Sequence, residues 1–408
     1  MAWENARHAD AEDPLAGRRR AFALPEGVVY LDGNSLGALQ PAVADAVRRT
    51  VDQEWGQGLI RSWNDADWVG LPARIAGRLA PLLGAHADEI AVADSTSTNL
   101  FKALAAARRL RPDRSVLLTD DANFPTDRYV AEGLADLLDD LEVRVAPATE
   151  VVDHLDAHVA VLTLTHVDYR TGARHDAAGL TRAAHDVGAL VVWDLSHSAG
   201  AVPVDLDAWD ADLAVGCTYK YLNGGPGSPA YLYAARRLHD RLRSPIAGWF
   251  SHERPFAFAD EHRPAAGAAR FLNGTPPVLS MIALDAALGI FADVDLGELT
   301  DKAQALVARF HAGATTRLGR WVQVVGPGPG APRGAQVSLR HPQAGAVMSA
   351  LTDRGVIGDH RPPDLLRFGF SPLYVSHADV EQALDVLEDV LTTGAWDRPE
   401  HRAPRAVV

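Results

Sequence analysis

The fold is decided by residues 191–227, which read VVWDLSHSAGAVPVDLDAWDADLAVGCTYKYLNGGPG. One apolar run in this stretch ends in Asp194, and His197 follows three residues later. A second apolar run leads into Tyr219 and Lys220, and a glycine-rich loop comes next at residues 223–227. A charged side chain at the end of a buried strand is unfavourable unless it has a partner. The stretch therefore predicts two buried strands whose carboxyl ends present a carboxylate and an amine.

The strand-end carboxylate and amine suit pyridoxal phosphate (PLP). The Lys220 amine can bond covalently to the cofactor aldehyde. Asp194 can pair with the pyridinium nitrogen, which keeps the ring protonated and able to accept electrons. The glycines after the lysine allow a sharp backbone turn beside the cofactor. A structural Asp–Lys salt bridge next to a tight turn is the alternative interpretation.

Apolar runs alternate with helical patterns on both sides of this stretch. The predicted strands are residues 28–32, 89–94, 115–119, 142–146, 159–165, 189–194 and 213–218. Helices are predicted at residues 41–54, 98–110 and 178–187. The alternation predicts an α/β fold with a mostly parallel central sheet and helices on both faces. Ligands of such sheets bind beyond the carboxyl ends of the strands, where Asp194 and Lys220 lie.

The pattern changes near residue 279, which predicts a smaller α+β domain in the C-terminal part. Helices are predicted there at residues 281–291, 296–318 and 378–391, and strands at residues 321–325, 336–340 and 366–370. We therefore predict three parts. Residues 1–45 form an N-terminal segment that joins the small domain, residues 46–290 form the large cofactor-binding domain, and residues 291–408 form the small domain.

Composition excludes several classes of function. The 408 residues contain 39 Lys and Arg against 53 Asp and Glu, a formal net charge of −14, which does not suit a protein that binds nucleic-acid backbones. The single cysteine, Cys217, allows neither an intramolecular disulfide nor a cysteine-based zinc site, and the histidines show no metal-binding spacing. No apolar run reaches the roughly 18 residues of a membrane span, and the N-terminus lacks a signal-peptide pattern. We expect a cytoplasmic protein that handles small molecules, with no metal, nucleic-acid or membrane partner.

Three motifs give the chain a resemblance to the kynureninase family. They are Asp194-Leu-Ser-His197, Tyr219-Lys220-Tyr-Leu-Asn-Gly-Gly and Tyr30-Leu-Asp-Gly-Asn-Ser-Leu-Gly37. The resemblance extends from about Tyr30 to Tyr374. It implies a fold-type I, class V aminotransferase-like PLP enzyme. It also implies hydrolysis of the Cβ–Cγ bond of L-kynurenine, which yields anthranilate and L-alanine. The pathway stays open between tryptophan catabolism with NAD biosynthesis and the synthesis of a specialised product.

The resemblance places the cofactor on several further motifs. Thr96 and Ser97 open a predicted helix whose N-terminus can bind the phosphate, although helix capping alone would also explain them. Phe124 is expected to stack on the pyridine ring, and the indole N–H of Trp249 is expected to donate to the phosphate. The other cofactor residues that the resemblance implies are Pro125, Thr126, Asp127, Thr165, Asp194, His197, Tyr219 and Lys220.

Further residues are expected to contact the substrate or a second subunit. Arg367 lies in an apolar strand, and its planar guanidinium can hold the substrate α-carboxylate through two hydrogen bonds; a structural ion pair is the alternative. The resemblance adds Asn34, Trp63 and Gly274 as substrate contacts, with kynurenine preferred over 3-hydroxykynurenine. It also implies that Thr275 reaches the phosphate of the neighbouring subunit, and therefore a homodimer with shared active sites.

Three residues are expected to act in proton transfer. The Lys220 amine can move the α-proton, and His197 can shuttle a proton or only orient the cofactor. The resemblance implies that Tyr219 is a phosphate ligand and proton donor. Two other functions stay open: another PLP lyase or aminotransferase of this fold, and a non-catalytic sensor on the same scaffold. A cysteine desulfurase or selenocysteine lyase is disfavoured, because its nucleophilic cysteine would lie far beyond the lysine, whereas Cys217 precedes it.

Overall fold

The computed structural model describes residues 2–328 and 330–402. The helices are α1 (Ala2–Glu12), α2 (Pro41–Arg49), α3 (Ser62–Asp65), α4 (Leu71–Leu83), α5 (Thr96–Arg109), α6 (Pro125–Ala135), α7 (Ala177–Asp186), α8 (Val278–Leu288), α9 (Leu296–Leu318), α10 (Ala344–Thr352), α11 (His377–Thr393) and α12 (Pro399–Arg402). The strands are β1 (Val29–Tyr30), β2 (Ile90–Val92), β3 (Val116–Asp120), β4 (Glu142–Ala146), β5 (Val159–Thr165), β6 (Leu190–Asp194), β7 (Leu213–Gly216), β8 (Tyr231–Ala234), β9 (Gln323–Val325), β10 (Gln336–Arg340), β11 (Val356–Ile357), β12 (Asp359–Arg361) and β13 (Leu365–Gly369). Along these described ranges no helix combines the length and the apolar character needed to cross a membrane.

The large sheet has seven strands in the order β2-β8-β7-β6-β5-β3-β4. Strands β7, β6, β5, β3 and β4 run parallel, and β8 is antiparallel to both of its neighbours. The predicted mostly parallel sheet is therefore confirmed. Strand β8 is not among the predicted strands, although all four of its residues are buried.

Helices cover both faces of this sheet, as successive residues of β6 show. Val191 and Trp193 belong to one buried apolar cluster, whereas Leu190 and Val192 belong to another. Side chains alternate between the two faces along a strand, so each face has its own core. Burial on both faces explains why the central strands β6 and β7 do not alternate with polar residues, whereas the partly exposed edge strand β4 does.

The C-terminal part holds a four-stranded antiparallel sheet in the order β12-β13-β10-β9. The N-terminal segment packs against this part. Strand β1 pairs in parallel with β11, and the Asp10 carboxylate accepts the first backbone N–H groups of α11 at 2.7 and 3.0 Å. Helix α2 runs through the predicted boundary at residue 45 and packs on α8, which lies within the predicted large domain. The division into domains stays a prediction.

Several element bounds differ from the sequence expectation for local reasons. The helix predicted at residues 41–54 is α-helical only to Arg49 and continues as a π-helix over Thr50–Gly58. The strand predicted at residues 28–32 shortens to two residues, because its partner strand β11 has two residues itself. Asp32 forms a separate single bridge with Gly369. Helix α5 begins at Thr96, two residues early, because Ser95 caps it by accepting the Thr98 N–H.

Candidate active site

Several of the predicted site residues converge on the carboxyl edge of the large sheet. Thr165 ends β5 and lies beside Asp194, the last residue of β6, in the strand register. Lys220 follows β7 after three intervening residues. Helix α5, with its N-terminal residues Thr96 and Ser97, follows β2, and helix α6 follows β3. This convergence is the one that a parallel sheet imposes on its strand ends.

Lys220 and His197 form the centre of the site. Lys220 Nζ lies 2.9 Å from His197 Nε2, and Nδ1 of the same imidazole lies 3.0 Å from Gln336 Oε1. Burial lowers the pKa of His197 well below its usual value, and the charge of Lys220 adds to this effect. The imidazole is therefore neutral and accepts a hydrogen bond from the lysine amine.

Two buried carboxyl groups lie next to this centre. Asp194 and Asp127 hydrogen-bond to each other, and the backbone N–H and hydroxyl of Ser196 donate to Asp194 Oδ1 at 2.8 and 2.6 Å. Burial raises the pKa of Asp194, and burial together with the Asp194 charge raises the pKa of Asp127 well above its usual range. Thr165 donates to Asp127 Oδ2 at 3.3 Å. Lys220 faces both carboxyls, and its charge opposes these upward shifts in pKa.

The Gly-Asn-Ser-Leu-Gly motif at residues 33–37 packs against the lysine loop, which is the loop at residues 219–223 that carries Lys220. The Gly37 N–H donates to the Tyr219 carbonyl at 2.7 Å, and a Cβ on Gly37 would lie only 2.6 Å from Asn223 Cα. Asn223 itself has a positive φ of 58°, a conformation that asparagine tolerates better than most residues. The Tyr219 side chain is half-buried, and burial raises the pKa of its hydroxyl.

The first turn of α5 supplies the predicted phosphate subsite. Thr96 and Ser97 are half-buried there, and Ser95 uses its own hydroxyl to accept the Thr98 N–H at 3.3 Å. The preceding Asp94 has its charge compensated by the fully buried Lys102, which also donates to the Phe271 carbonyl at 2.7 Å. A cationic partner for Asp94 keeps this helix N-terminus favourable for an anion.

The aromatic residues of the prediction fall into two groups. Phe124 is the residue before α6, and its ring meets Tyr169 edge-on at 5.0 Å between centroids. Pro125 and Thr126 then form the half-buried first turn of α6. Trp249 and Trp63 contact each other at 6.1 Å between ring centroids.

Two further predicted residues, which lie on the loop beside Trp249, are at the surface. Gly274 and Thr275 are exposed in this single chain. They follow Asn273, whose carbonyl accepts the Phe250 N–H at 3.0 Å, next to Trp249. This hydrogen bond holds the loop that carries them beside Trp249, and the loop is accessible from solvent.

Arg367 is held by an ion pair. Its Nε and Nη2 both donate to the Asp359 carboxylate, with Nε at 2.9 Å. Nη2 also donates to Ser35 at 2.9 Å, and Nη1 donates to the Tyr169 carbonyl at 2.7 Å. The structural ion pair, the alternative interpretation of this arginine, is therefore present, and a substrate role for Arg367 stays a prediction.

Asn34 lies close to this arginine. It is fully buried, packs on Gly369 of β13, and has neither its amide nitrogen nor its carbonyl oxygen hydrogen-bonded within the described residues. Buried polar atoms without partners are unusual in folded proteins. The unpaired side-chain atoms of Asn34 agree with the predicted substrate contact, which stays a prediction.

Three residues of this site were missed by sequence reasoning. Gln336 contacts His197, and both Asp359 and Ser35 hold Arg367. The sequence signal for Gln336 is its position as a polar residue at the start of a predicted strand. A polar residue within a predicted strand is also the signal that indicated Arg367. Asp359 lies directly opposite Arg367 in the register of β12 and β13, a pairing that no sequence spacing announces.

One group outside the site bears on the expectation of no metal. Among the described residues, His86, Glu89 and Asp207 bring possible ligand atoms within 4.8 Å of one another. The Glu89 carboxylate is already used, because it accepts the backbone N–H groups of His86 at 2.9 Å and of Arg236 at 2.8 Å. We assign no metal to this group.

The donor set of the main site fits PLP. A pyridinium N–H would satisfy the paired carboxyls of Asp194 and Asp127, the neighbouring Lys220 amine can bind an aldehyde, and the α5 N-terminus can bind a phosphate. The fold agrees with this interpretation. The apo structure of a cysteine desulfurase from Thermococcus onnurineus matches with a TM-score of 0.78 at 21% identity, covering 93% of this chain and 98% of that chain. A mutant of the lyase C-DES with glycine covalently linked to its PLP cofactor matches with a TM-score of 0.79 at 18% identity, covering 91% and 99%. The fold and the site thus define a fold-type I PLP-dependent enzyme.

Sequence comparison identifies the family within this class. Kynureninase of Deinococcus radiodurans is 53% identical over 388 residues, which is 94% of each chain. Kynureninase of Burkholderia mallei is 48% identical over 412 residues, which is 99% of each chain. A family model described as the kynureninase C-terminal domain matches residues 299–387. The chain belongs to the kynureninase family.

Proposed function

We propose that this chain hydrolyses L-kynurenine to anthranilate and L-alanine with PLP as cofactor. The observation that carries the proposal is the Lys220–His197 contact of 2.9 Å beside the paired carboxyls of Asp194 and Asp127, in a chain of the kynureninase family. When bound, PLP supplies an electron sink for bonds at the substrate α- and β-carbons. The protein supplies binding, orientation and proton transfer.

Each part of the site then has a role. Asp194 and Asp127 hold the proton on the pyridine nitrogen. The Lys220 amine takes and returns the substrate α-proton, and the neutral imidazole of His197 accepts a hydrogen bond from that amine. Arg367 binds the substrate carboxylate, for which its ion pair with Asp359 fixes the plane of the guanidinium.

Other residues of the prediction complete the binding sites. Phe124 covers the cofactor ring. The phosphate is bound by Thr96, Ser97, Tyr219 and Trp249, and the substrate is contacted by Asn34, Trp63 and Gly274. Pro125, Thr126 and Thr165 complete the cofactor shell.

We also propose a homodimer with shared active sites, which acts in the cytoplasm in tryptophan catabolism and NAD biosynthesis. Support for the dimer comes from the exposed loop with Gly274 and Thr275, and from exposed apolar side chains on and beside the π-helix. These are Val51, Trp55, Leu59 and Ile60. Exposed apolar clusters of this kind mark interaction surfaces. Complementation tests the sharing: a Lys220→Ala chain mixed with a Thr275→Val chain should regain activity, because each mixed dimer then holds one intact site.

Cysteine-dependent chemistry on this fold is disfavoured by the position of Cys217. The thiol is buried, donates to the Ser196 carbonyl at 3.8 Å, and burial raises its pKa. A nucleophilic cysteine needs an exposed, low-pKa thiolate. We therefore expect Cys217→Ser to retain kynurenine hydrolysis.

The experiment that tests the function follows anthranilate fluorescence after L-kynurenine is added to the cofactor-loaded protein, with alanine measured as the co-product. A parallel sample receives 3-hydroxykynurenine, for which we expect slower turnover. Lys220→Ala is the control and should lose both the absorption band of the lysine-bound cofactor and the activity. A wild-type protein that binds PLP but releases no anthranilate would refute the proposal and favour another lyase, an aminotransferase or a sensor.

A further inference from the structure

Gln336 is a buried amide that connects the small domain to the catalytic lysine. It is the first residue of β10, only 2% exposed, and it pairs in the ladder with Gly369 of β13. We propose that Gln336 is a positioning residue that fixes the tautomer of His197 and thereby keeps the Nε2 lone pair directed at Lys220. This inference rests on the proposed function, in which Lys220 handles the α-proton.

The orientation of the Gln336 amide follows from its surroundings. Nε2 lies 3.0 Å from the Asp168 carbonyl and 3.0 Å from the Tyr169 carbonyl, so its two N–H groups donate to both oxygens. A flipped amide would place Oε1 against these two carbonyl oxygens and lose both bonds. The oxygen must therefore face His197 Nδ1, at 3.0 Å.

The fixed amide determines which imidazole nitrogen carries the proton. Oε1 can only accept, so His197 Nδ1 must be the donor and Nε2 is left with a free lone pair. That lone pair faces Lys220 Nζ at 2.9 Å. In the other tautomer, the Nδ1 lone pair would face Oε1 and that hydrogen bond would be lost, and the Nε2–H would face the Lys220 ammonium, which cannot accept it.

The charges around His197 and Lys220 support the neutral tautomer. Lys220 is the nearest cation to His197, and Arg367 and Arg361 face the imidazole from the small domain. These three cations oppose a second proton on the ring. Lys220 in turn faces the carboxyls of Asp194 and Asp127. Its Nζ atom lies 6.0 Å from the centroid of the Tyr219 ring.

The Gln336 amide also connects the tautomer of His197 to Arg367 of the small domain. The Tyr169 carbonyl accepts from Gln336 and from Arg367 Nη1, at 3.0 and 2.7 Å. Gly172 leaves room for this arrangement, because a Cβ there would lie 3.1 Å from Gln336 Cγ. The tautomer of His197 therefore depends on the small domain being seated against the loop at residues 168–172.

The test uses two substitutions with opposite expectations. Gln336→Met removes both the donor and the acceptor with little change in volume, so His197 should lose its single tautomer. Gln336→Glu loses the donors but keeps an acceptor for Nδ1, so the Nδ1–H tautomer should persist. Gln304→Met is the matched control, because Gln304 lies in α9, is half-buried, and donates only to the Arg333 carbonyl at 3.4 Å.

Two readouts do not depend on turnover. Nitrogen-15 NMR of the histidine-labelled full-length protein, with and without PLP, reports which His197 nitrogen is protonated, and His197→Asn assigns the signal. A pH titration of the visible absorption of the loaded enzyme reports the proton on the Lys220 nitrogen. We expect its midpoint to fall by roughly half to one pH unit in Gln336→Met, the shift expected for loss of one hydrogen bond, and to stay in place in Gln304→Met.

The outcomes separate this inference from the proposed function. A wild-type signal with Nε2 protonated, or an unchanged His197 tautomer in folded Gln336→Met, would overturn the inference. If Gln336→Met does not fold, loss of the Nδ1–H tautomer in Gln336→Glu overturns it instead. If wild type releases no anthranilate but the tautomer still follows residue 336, the proposed function fails and the positioning role stands.

Discussion

A single methyl group on Gly37 should disturb the loop that carries Lys220 more than most core substitutions would. The Gly37 N–H donates to the Tyr219 carbonyl at 2.7 Å. A Cβ at this position would lie 2.6 Å from Asn223 Cα, and closer still to the Lys220 carbonyl oxygen. Carbon atoms need about 3.5–4.0 Å. Because both neighbours are backbone, the N-terminal motif or the lysine loop must move by roughly 1 Å.

The size of the effect follows from that displacement. Overpacking a well-packed site costs about 1–3 kcal/mol, and we expect the upper part of this range because no side chain can rotate away. A shift of about 1 Å in a positioning element can also lower turnover by about 100-fold. Gly37→Ala should therefore bind PLP, unfold a few degrees earlier than wild type, and lose most of its kcat/KM.

The assay compares thermal unfolding, cofactor absorption and anthranilate release in Gly37→Ala and a matched Gly77→Ala. Gly77 lies on the exposed side of α4, where a Cβ would meet no atom within 4 Å outside the helix backbone. Alanine there should raise stability by about 1 kcal/mol through its higher helix propensity. Wild-type unfolding and wild-type turnover in Gly37→Ala would refute the steric argument.

Three further substitutions test the charges around the site. Burial and the Asp359 charge raise the pKa of Asp32 to about 7 from its ordinary 3.8, so its contribution to stability is present below pH 4 and lost as the pH rises through 7. The stability of Asp32→Asn relative to wild type should therefore increase from pH 5 to pH 8. An equal difference between their urea-unfolding midpoints at the two pH values would contradict this. Lys102→Met leaves the Asp94 charge uncompensated at the α5 N-terminus and should weaken PLP binding about tenfold, or about 1.4 kcal/mol, measured by absorption titration. Asp359→Asn leaves the buried Arg367 unpaired and should cost about 3–5 kcal/mol in urea unfolding; a cost below 1 kcal/mol would contradict a buried pair.

Elements with a long, uninterrupted pattern could be predicted from the sequence to the residue. The bounds of β4, β5, β10 and α9 agree with the prediction, because several apolar residues in each contribute to the same periodicity. The strands that were missed are short. β8 has four residues, β12 has three and β11 has two, and each exists because a neighbouring strand supplies its hydrogen bonds. Such short segments carry too little pattern to be separated from loops.

The candidate site divides in the same way between what the sequence can and cannot predict. Asp194, Lys220 and Arg367 stand out because a charge in or after an apolar strand is unfavourable without a partner. Gln336 carries no charge, and its partners are the carbonyls of Asp168 and Tyr169, which every sequence possesses. Its proposed role depends on the contact between β10 and the loop at residues 168–172, and this contact becomes visible only in the folded chain.

The hydrogen bonds of Arg367 show why the motif alone cannot determine how a carboxylate would bind. A guanidinium has five N–H groups. Asp359 takes two of them, and Ser35 and the Tyr169 carbonyl take one each. Among the described residues this leaves one N–H, on Nη1, whereas a bidentate grip needs two. If Arg367 binds a substrate carboxylate as we propose, the carboxylate accepts a single hydrogen bond from it or displaces Ser35 or the Tyr169 carbonyl, so Asp359 both orients the arginine and limits the number of N–H groups that it can donate.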